Sequence, residues 1–239
     1  MTDIGRRVET LAIMMTDVEG STALRMERGD VVADEILGTH ARILRDQLRS
    51  HGGQERQFLG DGFLLSFRSP LDAVSCAISI QRALEEHNAA DPEHRIRVRI
   101  GIHVGDVNER AGELYGQALH AAARVMAEAA GGQILVSATV RDAVQPAGMW
   151  RFVDSGLFWL KGFPERWRLY EVAWAEASIG RSTTEAPPLT ALVERDAERA
   201  TRHSAATVAW CSWRARRASA SPAWSPRSRA RPRRAGCGP

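Results

Sequence analysis

Two aspartates in this chain are spaced so that the fold could bring their carboxylates to one point. Asp17 follows the apolar run at residues 11–15 and opens Asp17-Val18-Glu19-Gly20-Ser21-Thr22, in which small residues succeed the carboxylate. A strand ending in such a turn can feed a helix capped by Ser21 or Thr22. The N–H groups of the first turn and the positive end of the helix dipole would then face a bound anion. A carboxylate beside a phosphate-sized cradle is chemistry for a divalent cation. Asp61 stands in Phe58-Leu59-Gly60-Asp61-Gly62-Phe63-Leu64, a tight turn between two short apolar strands, so the two aspartates would meet at adjacent strand ends. Each motif alone also has a plainer reading, the first as a helix cap and the second as a hairpin turn.

The elements that must position these carboxylates follow from periodicity. Residues 21–50 read as one long helix, with Val32, Ile36, Ile43, Leu44 and Leu48 on roughly one face and Gly52-Gly53 ending it. Residues 54–59 and 62–67 are short strands flanking Asp61. Pro70 opens a second helix that turns Ala73, Val74, Ala77, Ile78 and Leu84 inward. Residues 95–104 alternate basic and apolar side chains, the mark of a half-buried strand. Strand-helix-strand-strand-helix-strand is the ferredoxin-like βαββαβ order of an α+β fold, with both helices on one sheet face. Residues 116–130 read as a third helix, 134–137 as a strand, and 149–172 as edge strands turning at Gly162-Phe163-Pro164.

Composition bounds the rest. A chain of 239 residues holds one domain of ordinary size with length to spare. No apolar run approaches the roughly 18 residues of a membrane span, and residues 1–7 are polar, so neither a transmembrane helix nor a signal peptide is expected. Cys76, Cys211 and Cys237 have no metal-like spacing, and their odd number argues against a disulfide framework, which points to a reducing cytoplasm. The net charge is +3, yet residues 202–239 hold nine arginines and no acid, which leaves 23 basic against 29 acidic residues before them. Basic character therefore belongs to the tail, and with no folded motif there a nucleic-acid module is disfavoured.

With one long helix between the two aspartate motifs, residues 10–174 resemble the catalytic domain of the class III adenylate and guanylate cyclases. The resemblance implies that Asp17 and Asp61 bind two divalent ions per active site, Mg2+ or Mn2+. One ion activates the ribose 3′ hydroxyl and the other holds the triphosphate. It also places Val18, Glu19, Gly20, Ser21 and Thr22 against the substrate. Four residues before the second aspartate the family has a purine-selecting lysine, and here that place holds Gln57, whose amide can donate or accept but carries no charge. In Gly112-Glu113-Leu114-Tyr115-Gly116-Gln117-Ala118-Leu119-His120-Ala121-Ala122-Ala123-Arg124, Glu113 stands where adenylate cyclases place aspartate or threonine. His120 stands at the family's ribose-orienting asparagine, and Arg124 at the arginine that stabilises the pentavalent transition state. Arg124 lies at i+4 from His120, on the same helix face. Lys161, the one lysine of the chain, aligns with a phosphate-binding lysine. Plainer readings stand beside two of these: a satisfied helix histidine for His120 and a solvated turn residue for Lys161.

In this family the metal aspartates and the purine and transition-state residues come from opposite subunits. The resemblance thus implies a homodimer with two composite sites, taking ATP ahead of GTP to the 3′,5′-cyclic nucleotide and pyrophosphate. A catalytically degenerate domain that binds nucleotide or only dimerises is the other functional class, favoured by Gln57, Glu113 and His120.

The expected organisation is a cyclase domain over 1–174, a linker and the start of a truncated ATPase region over 175–201, and a basic tail over 202–239. Residues 192–199 look like the entry to the signalling ATPases that often follow such domains in bacterial regulators. From residue 210 no hydrophobic period survives. The tail reads either as a disordered basic segment or as a frameshift, because GC-rich codons can be chosen for residues 210–225 that, read one nucleotide earlier, encode a strand and a P-loop.

Overall fold

The computed structural model describes residues 7–175. Its centre is strand β1 (Arg7–Val18), whose residues 11–15 are buried at both parities, as a strand covered on two faces requires. Antiparallel to it run β3 (Gly62–Phe67) on one side and β4 (Val98–Arg110) on the other. Strand β2 (Gln54–Phe58) lies outside β3. Beyond β4 come β6 (Ile134–Ser137), β8 (Arg166–Ala173) and the edge strand β7 (Arg151–Trp159), in the order β2-β3-β1-β4-β6-β8-β7. A short β5 (Glu113–Tyr115) pairs with the far end of β4. Only the β4–β6 pairing is parallel among the described strands.

Alternation along β1 sorts the core into two layers. Ala12 and Met14, with Phe63, Leu65, Val98, Ile100 and Ile102, pack under the two long helices, α2 (Asp30–Ser50) and α3 (Pro70–Ala90). This is the expected ferredoxin-like layer. Leu11, Ile13, Met15 and Leu64 face the other way, against Ala118, Leu119, Ala122 and Met126 of α4 (Gln117–Glu128). A third cluster seats the β7–β8 hairpin on the end of α4 through Val125, Leu160 and Leu169.

The structure departs from the sequence reading in several places. The single helix expected over 21–50 is broken into α1 (Ser21–Arg28) and α2 at Gly29, whose φ of 79° and ψ of 165° no helix contains. Arg25 spans the break, its guanidinium 2.8 Å from Asp34 and 3.4 Å from Asp30. Neither Ser21 nor Thr22 caps α1, because Gly20, left-handed at φ 75°, occupies that position without a side-chain bond. Strand β4 starts at Val98 rather than at 95, since Asn88 clamps Ile96 in the preceding loop, accepting from its N–H at 2.7 Å and donating to its carbonyl at 2.8 Å. Strand β5 and helix α5 (Ala138–Val144) were not expected. No helix among the described residues is long and apolar enough to cross a membrane. Cys76 is buried, and burial pushes its thiol up to about 12, so it is inert. The linker, ATPase entry and tail expected after 175 lie outside the described residues.

Close contact between β4 and α4 gives the first prediction. A Cβ on Gly101 would lie 2.1 Å from the backbone nitrogen of Met126. Gly101→Ala must therefore lift α4, at a cost of about 1–3 kcal/mol, read as a lower urea midpoint with unchanged slope.

A second prediction concerns acid. His40 is fully buried with neither ring nitrogen hydrogen-bonded, and His103 is buried with its ring beside Trp167 and its Nδ1 2.9 Å from Ser137 Oγ. Burial lowers both from 6.5 to about 4. Between those values the unfolded chain binds the protons that the native state refuses. Stability is thus fully present above about pH 6.5 and is lost as pH falls toward 4, by roughly 3 kcal/mol per histidine at most. Urea unfolding at pH 7.5 and 5 measures the difference.

Candidate active site

The two aspartates meet as expected, through strand register. Asp17 pairs with Gly62, the residue after Asp61, and the Val18 N–H donates to the Asp61 carbonyl at 3.0 Å. The glycines on either side of Asp61 are required: Gly60 has φ 96°, and a Cβ on Gly62 would lie 2.1 Å from the Thr16 carbonyl oxygen. Thr16 Oγ1 accepts from the Phe63 N–H at 3.1 Å, fixing the same crossing.

Ser21 has a different task from the one its position suggested. Its hydroxyl donates to Asp61 Oδ2 at 2.6 Å and orients that carboxylate. Thr22 is exposed on α1. The Val18 and Glu19 N–H groups are both taken by protein carbonyls, those of Asp61 and Arg97, so they line no anion cradle. What remains of the expected phosphate loop is Gly20-Ser21-Thr22.

Arg99 is the site residue that the sequence reading missed. It stands opposite Asp17 in the β1–β4 register, and its guanidinium forms an ion pair with the Asp17 carboxylate. Its Nε is buried and has no hydrogen-bond partner. The signal existed in the alternation of the 95–104 strand, but only the pairing register assigns Arg99 to Asp17. Burial pushes the Asp17 carboxyl up to about 6, against the pull of Arg99 and with the charge of Asp61 adding to the rise.

This donor set fits a hard divalent cation. Two adjacent carboxylates, one raised by burial and by its neighbour, gain from a shared positive charge. Among the described residues no cluster of three or more His, Cys, Asp or Glu forms, so no third such side chain joins Asp17 and Asp61. A divalent ion held at Asp17 would compete with the proton there. Affinity for Mn2+ should be full above about pH 6 and should fall below it by about tenfold per pH unit, measured by calorimetric titration without nucleotide.

The remaining predicted residues lie elsewhere in the chain. Gln57 follows a register shift in β2 and pairs with Leu64, which puts it on the α4 face of the sheet. Glu113 is exposed on β5 and accepts from the Tyr115 hydroxyl at 2.8 Å. Its partner Arg110 is eleven positions along β4 from Arg99, the residue opposite Asp17, a separation of roughly 36 Å along an extended strand. His120 and Arg124 sit on α4 away from the buried stripe of Ala118, Leu119, Ala122 and Met126, hence on the side turned from their own sheet. Lys161 is exposed in the β7–β8 turn, whose base is fixed by Leu160 and by the edge-to-face pair Phe163–Trp167 at 4.8 Å.

The sequence profile of the Adenylate and Guanylate cyclase catalytic domain matches residues 5–173. This chain belongs to that family. A receptor-type adenylate cyclase of Trypanosoma congolense is 28% identical over 207 residues, which takes in 69% of this chain and 28% of that protein. An uncharacterized protein of Mycobacterium tuberculosis (strain ATCC 25618 / H37Rv) is 34% identical over 161 residues, 65% of this chain and 53% of the relative. The cyclase domain thus spans about half or less of these relatives' length. The solved adenylyl cyclase CyaB from P. aeruginosa superposes with a TM-score of 0.65 over 74% of this chain and 100% of its own, and at 19% identity it shows the shared mixed α+β fold. This cyclase domain therefore has the family's architecture, with its two aspartates where β1 and β3 meet.

Proposed function

We propose that the domain is a nucleotidyl cyclase that works as a homodimer, converting ATP, ahead of GTP, to the 3′,5′-cyclic nucleotide and pyrophosphate. The single observation that carries this reading is the separation within one chain. Asp17 and Asp61 stand at one end of the β1–β4 pair, whereas Glu113 lies at the other end and His120 and Arg124 face outward from α4. One chain cannot close these groups around a nucleotide, but two chains arranged head to tail about a twofold axis can, giving two sites.

Asp17 and Asp61 would hold Mg2+ or Mn2+, which when bound supplies positive charge for the triphosphate and lowers the pKa of the ribose 3′ hydroxyl. Ser21 keeps Asp61 oriented, Arg99 stays paired with Asp17, and the Gly20-Ser21-Thr22 turn receives phosphate oxygens. From the partner chain, Gln57 and Glu113 hold the purine and His120 orients the ribose. Arg124 donates to the α-phosphoryl oxygens as negative charge builds, and Lys161 holds the leaving pyrophosphate. The 3′ oxygen forms its bond to the α-phosphorus as the bond to the pyrophosphate oxygen breaks, and the 3′ proton leaves to solvent. On this reading the domain meets its nucleotide in the cytoplasm and serves a signalling role.

Gln57, Glu113 and His120 favour a second reading, a domain that binds nucleotide or dimerises without turnover. Incubation of the purified chain with Mn2+ and either ATP or GTP separates the two. Cyclic product that disappears with excess chelator is expected, with more from ATP; bound nucleotide without any cyclic product would establish the second reading.

A further inference from the structure

Glu19, placed against the substrate by family position, is engaged instead by the turn that follows α4. Its Oε1 accepts a hydrogen bond from the Gly131 N–H at 3.0 Å, and its Oε2 lies 3.5 Å from Arg97 Nε. Arg97 Nη2 donates to the Gly131 carbonyl at 2.8 Å, and the Glu19 N–H donates to the Arg97 carbonyl, also at 2.8 Å. A closed ring of hydrogen bonds therefore joins three segments: the loop after Asp17, the entry to β4, and the turn between α4 and β6.

The ring is tight at residue 131, where a Cβ would lie 2.4 Å from Glu19 Oε2 and 2.8 Å from Arg97 Cβ. Further hydrogen bonds join it to α3, β4 and Trp174. The Gly132 N–H donates to the Val98 carbonyl at 2.9 Å, Gln81 Nε2 to the same carbonyl at 2.9 Å, and Trp174 Nε1 to the Gly132 carbonyl at 3.0 Å. The Arg97 side chain is 59% exposed, so its charge on Glu19 contributes little, and the carboxylate's bond to the Gly131 backbone does the holding.

We infer that Glu19 is a positioning residue that ties the Asp17 loop to the turn following α4, the helix carrying Arg124, and thereby couples the two active sites of the dimer. The coupling rests on the composite-site reading, in which Asp17 and Arg124 of one chain serve different sites. Gly131 is seven residues beyond Arg124, so a displacement of α4 when Arg124 engages one nucleotide reaches Asp17 at the other through a continuous bonded path.

Heterodimers test this. In a mixture of Asp17→Ala and Arg124→Ala chains, the surviving site takes its aspartates from the Arg124→Ala chain and its arginine from the Asp17→Ala chain. Glu19→Ala is then added to one chain at a time. The tie predicts that turnover at the surviving site falls at least about threefold whichever chain carries the change, while Glu19→Gln, which keeps an acceptor for Gly131, stays within about twofold of the unmodified mixture. A fall confined to Glu19→Ala in the aspartate-donating chain would make Glu19 a local or substrate contact, and no fall in either placement would make it idle; both overturn the inference. If the mixture with Glu19 intact is dead although the parent is active, the composite-site reading fails and the coupling with it. The tie itself is read without activity, by amide hydrogen exchange on metal-free Glu19→Ala protein. Faster exchange over both 17–22 and 128–133 supports it, and a change in only one segment, or in neither, overturns it.

Discussion

Asp17→Ala and Asp61→Ala are each expected to abolish cyclic-nucleotide formation. Losing an outer hydrogen-bond partner of a metal ligand costs roughly 10 to 100-fold in affinity or activity, and removing one of two anionic ligands exceeds that, so turnover should fall by more than about a hundredfold. For Asp17 the loss is expected without damage to folding, and its titration offers the check. Its folded pKa of about 6 lies above the ordinary 3.8, so between those values the native state binds a proton that the unfolded chain has released. By linkage the ionised carboxylate weighs against the metal-free native state, and this contribution to stability declines as pH rises from about 4 to 6. Asp17→Asn, with no charge to bury, should therefore be inactive at neutral pH yet as stable as the parent or more so in the presence of chelator. Thermal melts at pH 7.5 distinguish this from damage: a variant that retained turnover, or that lost activity only because it no longer melted cooperatively, would remove Asp17 from the metal site.

Much of the frame was legible because the patterns that encode it are local. Alternation along 95–104, apolar residues at 11–15, and glycines on both sides of Asp61 fix strands and a turn within a few residues of each signal. The meeting of Asp17 and Asp61 follows once β1 and β3 are adjacent. Features that escaped depend on partners distant in sequence. A hydroxyl just after a glycine resembles a cap, and nothing local to Ser21 announces an acceptor 40 residues away. Glu19 finds its partner 112 residues on, and Arg99 pairs with a residue 82 positions before it. Gly29 escaped for the opposite reason. A lone glycine is tolerated in a helix, and the apolar spacing from Val32 to Leu48 is continuous, so the break shows only in backbone angles. Helix α5, with seven residues, is too short to display a period.

The proposed composite sites predict a second large effect. Asp17→Ala and Arg124→Ala chains are each expected to be inactive alone, since every site in either homodimer lacks an aspartate or an arginine. Mixed in equal amounts with free subunit exchange, about half the dimers are heterodimers, each with one complete site of two. Activity should then recover to about a quarter of the parent rate if the sites turn over independently. Measuring cyclic-nucleotide formation in that mixture, with exchange followed by labelled subunits, tests the shared site most directly. Recovery near a quarter is the predicted result; a mixture that stays dead while exchange is complete and the parent is active would contradict it and return Arg124 to the metals of its own chain.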